Sequence, residues 1–401
     1  MLACDPAPAD ESGDVEEPTV TVWDSAGIEI VENHAPEHAP GEFWTFDTVP
    51  EIVVNDDSAR LDRTAGLARL ADGRVATLSF TNKQVFIFEP SGELSRTIGR
   101  AGEGPGEFGI PEGMHYLPPD TLVVWERFLT AIHYFDTAGT LLKERSVDYA
   151  TLMEHGATYE NPLRLVLPDG SFLMGIQAKP DGAQEEDCSH LSTTVSFEGQ
   201  DPVPLPGEHL VRIDTADAAH PFGCFRAGSR IAVGGDPPSV YISNRGDEVH
   251  QRSLDGTLVR IIRRSTEPPP VTDKAWNAEL ENWEQAQEAR SMGRGTGTSR
   301  ERPRRVAYPA IEALIVDTEG NLWTKEWSAS ESGIPDQWSV FDPEGVWLGV
   351  LPVPPKPQPM DLFLCTLFDP CWVGKDFLLM IRRDELGVER VEGYRIRRDS
   401  R

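Results

Sequence analysis

Three side chains with oxygen atoms occupy the same place in a repeated pattern, at the start of a short apolar segment. They are Glu112, Asn161 and Glu312, and the last repeat offers Asp361 or Asp369 as a fourth. Calcium takes six to eight oxygen ligands at flexible distances. If the segment starts surround one opening, these residues would form a Ca²⁺ site. The alternative is that they are the polar lining of a channel.

Other catalytic motifs are missing from the sequence. No H-E-x-x-H zinc motif and no G-x-S-x-G nucleophile elbow occur. His115 follows the start of one apolar segment, and we expect it to pack inside the protein rather than to face a channel. The calcium site is therefore the one candidate catalytic centre that the residue types indicate.

Charge excludes one large class of partner. The 401 residues contain 37 Lys and Arg against 66 Asp and Glu, which gives a net charge of −29. A field of this sign repels phosphate backbones, so nucleic acid is not an expected partner. No apolar run reaches the roughly 20 residues that a membrane-spanning helix needs. A cation, or a protein, peptide or glycan ligand, fits this composition better.

Internal repeats predict the architecture that must position the candidate ligands. Segments 88–98, 135–145, 254–262 and 341–351 each read as a strand end, a polar turn closed by glycine, and a second strand. This is the pattern of a β-hairpin. A similar hairpin precedes most of them, and two hairpins in tandem make a four-stranded sheet. The turn glycines Gly92 and Gly139 lie 47 residues apart, which matches the roughly 40–50 residues of one propeller blade.

Counting the repeats gives six blades. The inner hairpins fall near residues 65–80, 112–126, 162–176, 229–244, 312–327 and 361–382. We therefore predict an all-β, six-bladed β-propeller with four-stranded antiparallel blades. The last sheet is one strand short, so residues 20–54 are expected to supply the closing strand or strands. Residues 20–401 would form this single domain, and residues 1–19 an acidic, disordered tether.

One crossing between blades carries a family resemblance. The stretch GPGEFGIPEGM, residues 104–114, resembles the linker of NHL-type repeats. The resemblance implies that Phe108 tucks between two blades while the glycines let the chain bend. The whole pattern is similar to a group of bacterial six-bladed propeller proteins, many of them lipoprotein-like, whose function is largely unassigned. Calcium-dependent six-bladed lactonases and esterases are built in a similar way.

The N-terminus and the cysteines indicate an exported protein. MLACD resembles the end of a bacterial lipoprotein signal, with Cys4 as the residue that is cleaved and lipidated, although the segment that should precede it is missing. The expected location is the periplasm or the outer surface, with the lipid as the only membrane contact. The other cysteines form an even set that suits an oxidising compartment, and the last two are close enough to bridge across a turn: Cys188, Cys224, Cys365 and Cys371.

A helical and Arg-rich insertion, residues 272–305, interrupts the repeats. Thr272 can cap a helix in which Trp276, Leu280 and Trp283 have helical spacing. A basic cluster follows, made of Arg294, Arg300, Arg302, Arg304 and Arg305. It is either a contact for an anion or a partner, or a solvated loop on the acidic surface of the protein itself.

Two functions follow from these expectations, and a lyase acting on polysaccharide is a third possibility with no supporting motif. The first is a monomeric, exported binding module for a protein, peptide or glycan, because the fold is well specified while no catalytic set is. The second is a calcium-dependent hydrolase of the lactonase or esterase type, with the metal at the mouth of the central channel. A propeller fold by itself does not choose between them.

Overall fold

The computed structural model describes most of the propeller. The described residues are 18–39, 41–55, 60–127, 130–145, 164–166, 172–178, 189–195, 211–212, 230–243, 248–254, 257–265, 272–274, 277, 281, 311–326, 337–352, 371–384 and 386–398. Among these residues, no helix is both long enough and apolar enough to cross a membrane.

The described residues form short β-strands throughout. In chain order the strands are β1 (Val20–Ser25), β2 (Ile28–Asn33), β3 (Thr45–Phe46), β4 (Ile52–Val54), β5 (Thr64–Arg69), β6 (Val75–Ser79), β7 (Gln84–Phe88), β8 (Leu94–Ile98), β9 (Pro111–Leu117), β10 (Thr121–Glu126), β11 (Ile132–Asp136), β12 (Leu141–Arg145), β13 (Arg164–Val166), β14 (Phe172–Ala178), β15 (Ser189–Val195), β16 (Val211–Arg212), β17 (Arg230–Gly234), β18 (Ser239–Ser243), β19 (Glu248–Ser253), β20 (Leu258–Arg264), β21 (Ile311–Val316), β22 (Leu322–Glu326), β23 (Gln337–Phe341), β24 (Trp347–Pro352), β25 (Cys371–Val373), β26 (Phe377–Arg383) and β27 (Glu389–Arg397).

These strands make six sheets, which confirms the predicted six-bladed propeller. Blades 1, 2 and 3 are β5–β8, β9–β12 and β13–β16, and blade 5 is β21–β24, each paired antiparallel in sequence order. Blade 4 contains β17–β20, and blade 6 contains β25–β27. Tight glycine turns join the strands, as at Gly92 and Gly139, whose φ angles are 87° and 89°. Only glycine adopts such angles without strain.

The inner strands of neighbouring blades run in the same direction. A methyl group placed on Gly66, near the start of the inner strand of blade 1, would lie 2.6 Å from the Met114 Cβ, near the start of the inner strand of blade 2. Gly234 and Val316 make the same approach at the far ends of the inner strands of blades 4 and 5, at 2.5 Å. All inner strands that can be compared in this way therefore run from one face of the ring to the other.

Residues 45–54 close the ring. Strand β3 pairs with Ile396 and Arg397 of β27, and β4 pairs with Val391, Glu392 and Gly393 of the same strand. Ion pairs join the same two segments, with Arg395 Nε 2.8 Å from a Glu51 oxygen and Arg397 Nε 2.8 Å from an Asp47 oxygen. The last blade thus receives its missing strand from the beginning of the chain.

The first hairpin does not take part in this closure, contrary to the expectation for residues 20–54 as a whole. Strand β2 instead pairs in parallel with β20, so β1 and β2 extend blade 4 to six strands. Asn33 holds the hairpin there: its Nδ2 donates to the carbonyls of Arg263 and Gly345, and its Oδ1 accepts from the N–H of Trp347. These buried bonds join the hairpin to blades 4 and 5.

The hydrophobic core lies between the blades. One cluster joins blades 1 and 2, another joins blades 5 and 6, and further clusters fill the joints between blades 6 and 1 and between blades 4 and 5. Trp323 and Trp338 are fully buried in the cluster of blades 5 and 6. Tryptophan in these strands therefore packs between blades, as is usual for large aromatic side chains in strands.

The insertion is described at only a few positions. Asp273, Lys274, Asn277 and Glu281 have helical conformation and are exposed. Positions 273, 277 and 281 are four residues apart and share one helix face. The rest of segment 272–305, including the five arginines of its basic cluster, lies outside the described residues.

Candidate functional site

The connections between strands differ strongly in length between the two faces of the ring. The inner strands start at one face, where the connections that lead from each blade to the next are residues 55–63, 99–110, 146–163, 213–229, 265–310 and 353–370. Most turns at the opposite face are short, such as 70–74, 118–120 and 374–376, with 196–210 as the long exception. We call the face with the long connections the loop face. Function usually resides in such loops on a rigid scaffold.

A rigid apolar hairpin tip lies on the loop face of blade 6. The carboxylate of Asp384 accepts N–H bonds from Leu386 and Val388, both 2.9 Å long, and Gly387 turns the chain with a φ of 80°. This turn leaves Leu386 89% exposed and Val388 50% exposed. Ile110, at the loop-face end of the crossing into blade 2, is 43% exposed. Neighbouring exposed apolar side chains, as Leu386 and Val388 are, can mark a contact surface.

A stacked cation and ring lie on the loop face of blade 1. The guanidinium of Arg63 lies 4.2 Å from the centre of the Phe80 ring. Arg63 and Lys83 both have left-handed backbone, with φ angles of 50° and 53°, which is uncommon for residues other than glycine. The Nδ2 of Asn82 bonds the Ser79 hydroxyl at 3.0 Å and thereby ties the turn to β6. Blade 1 therefore presents a positive group and an aromatic ring in fixed positions.

A buried glutamate joins blades 6 and 1 beneath this surface. Glu389 accepts the N–H of Thr64, the first residue of the inner strand of blade 1, at 2.9 Å. Its other oxygen lies 2.8 Å from the Arg383 guanidinium. Two adjacent blades are thus held in register near the loop face.

In the crossing from blade 1 to blade 2, residues 99–110, polar groups bond to one another. Glu107 accepts the N–H of Gly104 at 2.9 Å and pairs with Arg100, and these two contacts lower the pKa of its carboxyl. The segment leads into a strand rather than a helix, so it does not have the arrangement of a phosphate-binding loop. Phe108 is fully buried between blades 1 and 2, as the resemblance to NHL-type linkers implied.

Two glutamates on either side of a buried histidine fasten this crossing to blade 2. His133 is buried, its Nδ1 lies 2.9 Å from a Glu144 oxygen, and its Nε2 lies 3.7 Å from a Glu126 oxygen. The imidazole also packs edge-on against Phe108 at 5.1 Å. Burial disfavours the charge of Glu126, but the contacts with His133 and the Gly109 N–H outweigh it and lower its pKa. Glu144 accepts the N–H of Gly106.

Of the predicted calcium ligands, only Glu112 has a described side chain, so the site as a whole stays a prediction. Glu112 pairs with Arg127, with 3.1 Å between Oε1 and Nε. Glu312 lies at the equivalent point of blade 5, since both residues are skipped in the pairing of their strands, but its side chain is outside the description. Asn161, Asp361 and Asp369 also lie outside it. Among the described residues, no group of three His, Cys, Asp or Glu side chains could hold a metal ion.

His115 is exposed, so the expectation that it packs inside the protein was wrong. It belongs to the inner strand of blade 2, three residues after the bulge. The same position of blade 1 holds buried Ala68, and that of blade 5 holds partly buried Ile315. Although part of the side chain is exposed, protein atoms lie close around the imidazole, and this desolvation lowers its pKa to about 4.

A histidine pair near the start of the described chain has a spacing that the sequence analysis did not consider. His34 and His38 in HAPEH have the four-residue spacing of a helical zinc site. The segment is not helical, and its side chains diverge. His34 contacts Thr21 and Ser265, each at 3.1 Å, while His38 stacks on Phe43 at 5.6 Å. Pro36 between the two histidines was the signal against a helix.

Of the cysteines, Cys371 alone lies in the described residues, and it is disulfide-bonded. Its partner is therefore one of the cysteines outside the description, among which Cys365 was the expected one. Cys188, Cys224 and the candidate lipidation site Cys4 are also outside it. The predicted pairing stays a prediction.

A comparison with known protein families agrees with the fold. A family model described as "6-bladed beta-propeller" matches residues 63–160. No curated protein matches the sequence. Among solved structures, a Bacteroides fragilis protein described as exported aligns at TM-score 0.46 and 11% identity, over 92% of this chain and 98% of its own. A Xanthomonas campestris gluconolactonase aligns at TM-score 0.41 and 16% identity, over 87% and 97%.

A further structural relative has yet another activity. Virginiamycin B lyase from Staphylococcus aureus aligns at TM-score 0.38 and 10% identity, over 88% of each chain. At these identities and scores the alignments carry no information about activity. The six described sheets and the matching family model lead to one conclusion: the chain is a six-bladed β-propeller.

Proposed function

We propose that this propeller is an exported, lipid-anchored binding module that holds a protein, peptide or glycan ligand on its loop face. The observation that carries the proposal is the asymmetry of the two faces. Nearly all long connections leave strands at the loop face, while most turns at the other face are short. Segment 265–310, with the basic cluster, also begins and ends at strands of the loop face.

The described part of the loop face has the chemistry of a recognition surface. Leu386, Val388 and Ile110 provide exposed apolar contacts, and the Arg63–Phe80 pair provides a cation and a ring. Interfaces are enriched in aromatic and arginine side chains, and neighbouring exposed apolar side chains mark contact surfaces. Because Asp384 and Asn82 hold their turns rigidly, ligand binding would cost little conformational entropy.

The calcium-dependent hydrolase gains no support from the described residues. Glu112, the one candidate ligand whose side chain is described, pairs with Arg127. Binding therefore explains the described surface better than metal chemistry does.

The loop-face proposal can be tested with matched surface variants. The full chain and its L386D/V388D variant are screened against glycan arrays and displayed peptide libraries, with Leu142→Asp as the control. Leu142 is 55% exposed, but it lies on the outer strand of blade 2 rather than on the loop face. Selected ligands should bind the control like the wild type and the double variant at least tenfold more weakly. Equal binding to all three proteins would overturn the assignment to this face.

Lipid anchoring rests on the Leu2-Ala3-Cys4 sequence. Metabolic labelling with palmitate in a bacterial host, from the natural gene start, should label the wild type and not Cys4→Ala. Equal labelling of both proteins, or none of either, would contradict the anchor without affecting the binding proposal.

A further inference from the structure

The hairpin that extends blade 4 ends in a regular edge strand. Its turn consists of Ala26 and Gly27, with φ angles of 55° and 84°, and turns of this kind match the natural twist of a hairpin. The pairing of β1 with β2 runs without a bulge from Val20–Asn33 to Ser25–Ile28. In the described part of the chain, β1 pairs with β2 alone. Its other edge faces away from the sheet.

This edge lacks the features that normally prevent association. Proteins block free strand edges with proline, lysine, bulges or very short strands. The six residues of β1, VTVWDS, contain neither proline nor a basic residue. Val22 is 52% exposed and Trp23 is 40% exposed. A six-residue edge with free backbone groups and exposed apolar side chains is what β-augmentation requires.

Charge indicates the kind of strand that fits this edge. Arg260 on β20 pairs with Glu29 on β2, and Glu29 lies opposite Asp24 on β1. Like charges directly opposite each other destabilise a sheet. The described contact of the Asp24 carboxylate is the N–H of Gly27 at 3.2 Å, with no cation. A basic residue on a further strand, opposite Asp24, would offset the repulsion between Asp24 and Glu29.

We propose that the outer edge of β1 binds an extended segment of another protein by antiparallel β-augmentation. The segment carries Lys or Arg opposite Asp24 and β-branched residues opposite Trp23 and Val22. The site lies on the rim of blade 4 and not on the loop face, so it is a second interaction site that does not depend on the proposed function.

A second copy of this chain fits the edge less well. Antiparallel self-pairing centred between Val22 and Trp23 would place Thr21, which has no charge, opposite Asp24. It would also bring together two chains that each carry a net charge of −29, which repel one another. The occupant that the charges favour is therefore a basic strand from a different protein.

The test uses a labelled peptide, TKVITV, whose residues face Ser25 to Val20 in order. It is titrated into the full chain, alongside TEVITV and a backbone N-methylated TKVITV. Binding of TKVITV should be saturable, about tenfold tighter than that of TEVITV, and abolished by N-methylation, because cross-strand charges and backbone bonds both contribute. Asp24→Lys should reverse the order of TKVITV and TEVITV. Leu142→Asp, on the outer strand of blade 2, should change nothing.

Several results would overturn the proposal. They are failure of TKVITV to bind at millimolar concentration, equal binding of the N-methylated peptide, and an unchanged peptide preference in Asp24→Lys. Sedimentation of the full chain without peptide tests whether a second copy of the chain occupies the edge. A concentration-dependent dimer that Val22→Lys abolishes would assign the edge to a second copy instead.

Discussion

Truncation of Phe108 should destabilise the propeller far more than truncation of any exposed ring. Phe108 is fully buried between blades 1 and 2, with ring centroids 5.1 Å from His133 and 5.9 Å from Phe135. It packs so closely on Gly99 that a methyl group there would lie 2.4 Å from the Phe108 ring. Phe108→Ala removes this packing and leaves a cavity, which costs about 3–5 kcal/mol when the surroundings cannot collapse. Four-stranded blades on both sides make collapse difficult.

The comparison variant is Phe80→Ala. Phe80 is half-buried on the loop face, where Arg63 stacks on its ring. Losing an exposed cation–π contact costs about 0.5–1 kcal/mol. Urea unfolding followed by circular dichroism gives both free energies of unfolding, and hydrogen exchange shows whether residues 99–110 lose protection. A Phe108→Ala loss within about 1 kcal/mol of the Phe80→Ala loss would refute the view that Phe108 anchors the crossing.

Further predictions concern three other sets of contacts that hold segments of the propeller together. Because contacts with His133 and Gly109 lower the pKa of Glu126 below 4.5, its ionised form stabilises the fold above that pH, and this stability is lost as the pH falls through the folded-state value. Glu126→Gln should therefore flatten the acid limb of a stability profile, and an unchanged limb would contradict the assignment. A double-mutant cycle on Glu51 and Arg395 should give a coupling of only about 0.2–1 kcal/mol, weaker in 1 M NaCl, because both side chains are partly exposed. Asn33→Ala leaves buried backbone groups unpaired and should cost about 1–3 kcal/mol, with earlier proteolysis between residues 18 and 36. Proteolysis at the wild-type rate would show that Asn33 does not hold the hairpin.

Much of the fold could be predicted because each blade is specified by local patterns. Alternating apolar residues define each strand, and glycines such as Gly92 and Gly139 define each turn. A repeat of these units leaves few architectures open. The closing strand was predictable for a physical reason as well, because an open ring would expose a strand edge in its last blade.

The candidate site was harder to predict. The common bulge at Glu112 and Glu312 confirms that the two residues are equivalent in their strands. Equivalence along the strand says nothing about which ion pair a side chain will form, and Arg127 lies fifteen positions from Glu112. His115 was misassigned for a similar reason, since the exposure of a strand residue depends on its surroundings in the assembled ring and not on its own strand pattern.

The sequence by itself determined the class of fold, the number of blades and the burial of Phe108, because these follow from local periodicity and from one linker motif. Only the tertiary structure decided where the first hairpin goes. Residues 20–33 have the same hairpin pattern as the blades, and pattern alone could not distinguish closure of blade 6 from extension of blade 4. The choice depends on contacts between residues more than 200 positions apart, such as Asn33 with Arg263 and Glu29 with Arg260. Such contacts form only when the ring is assembled.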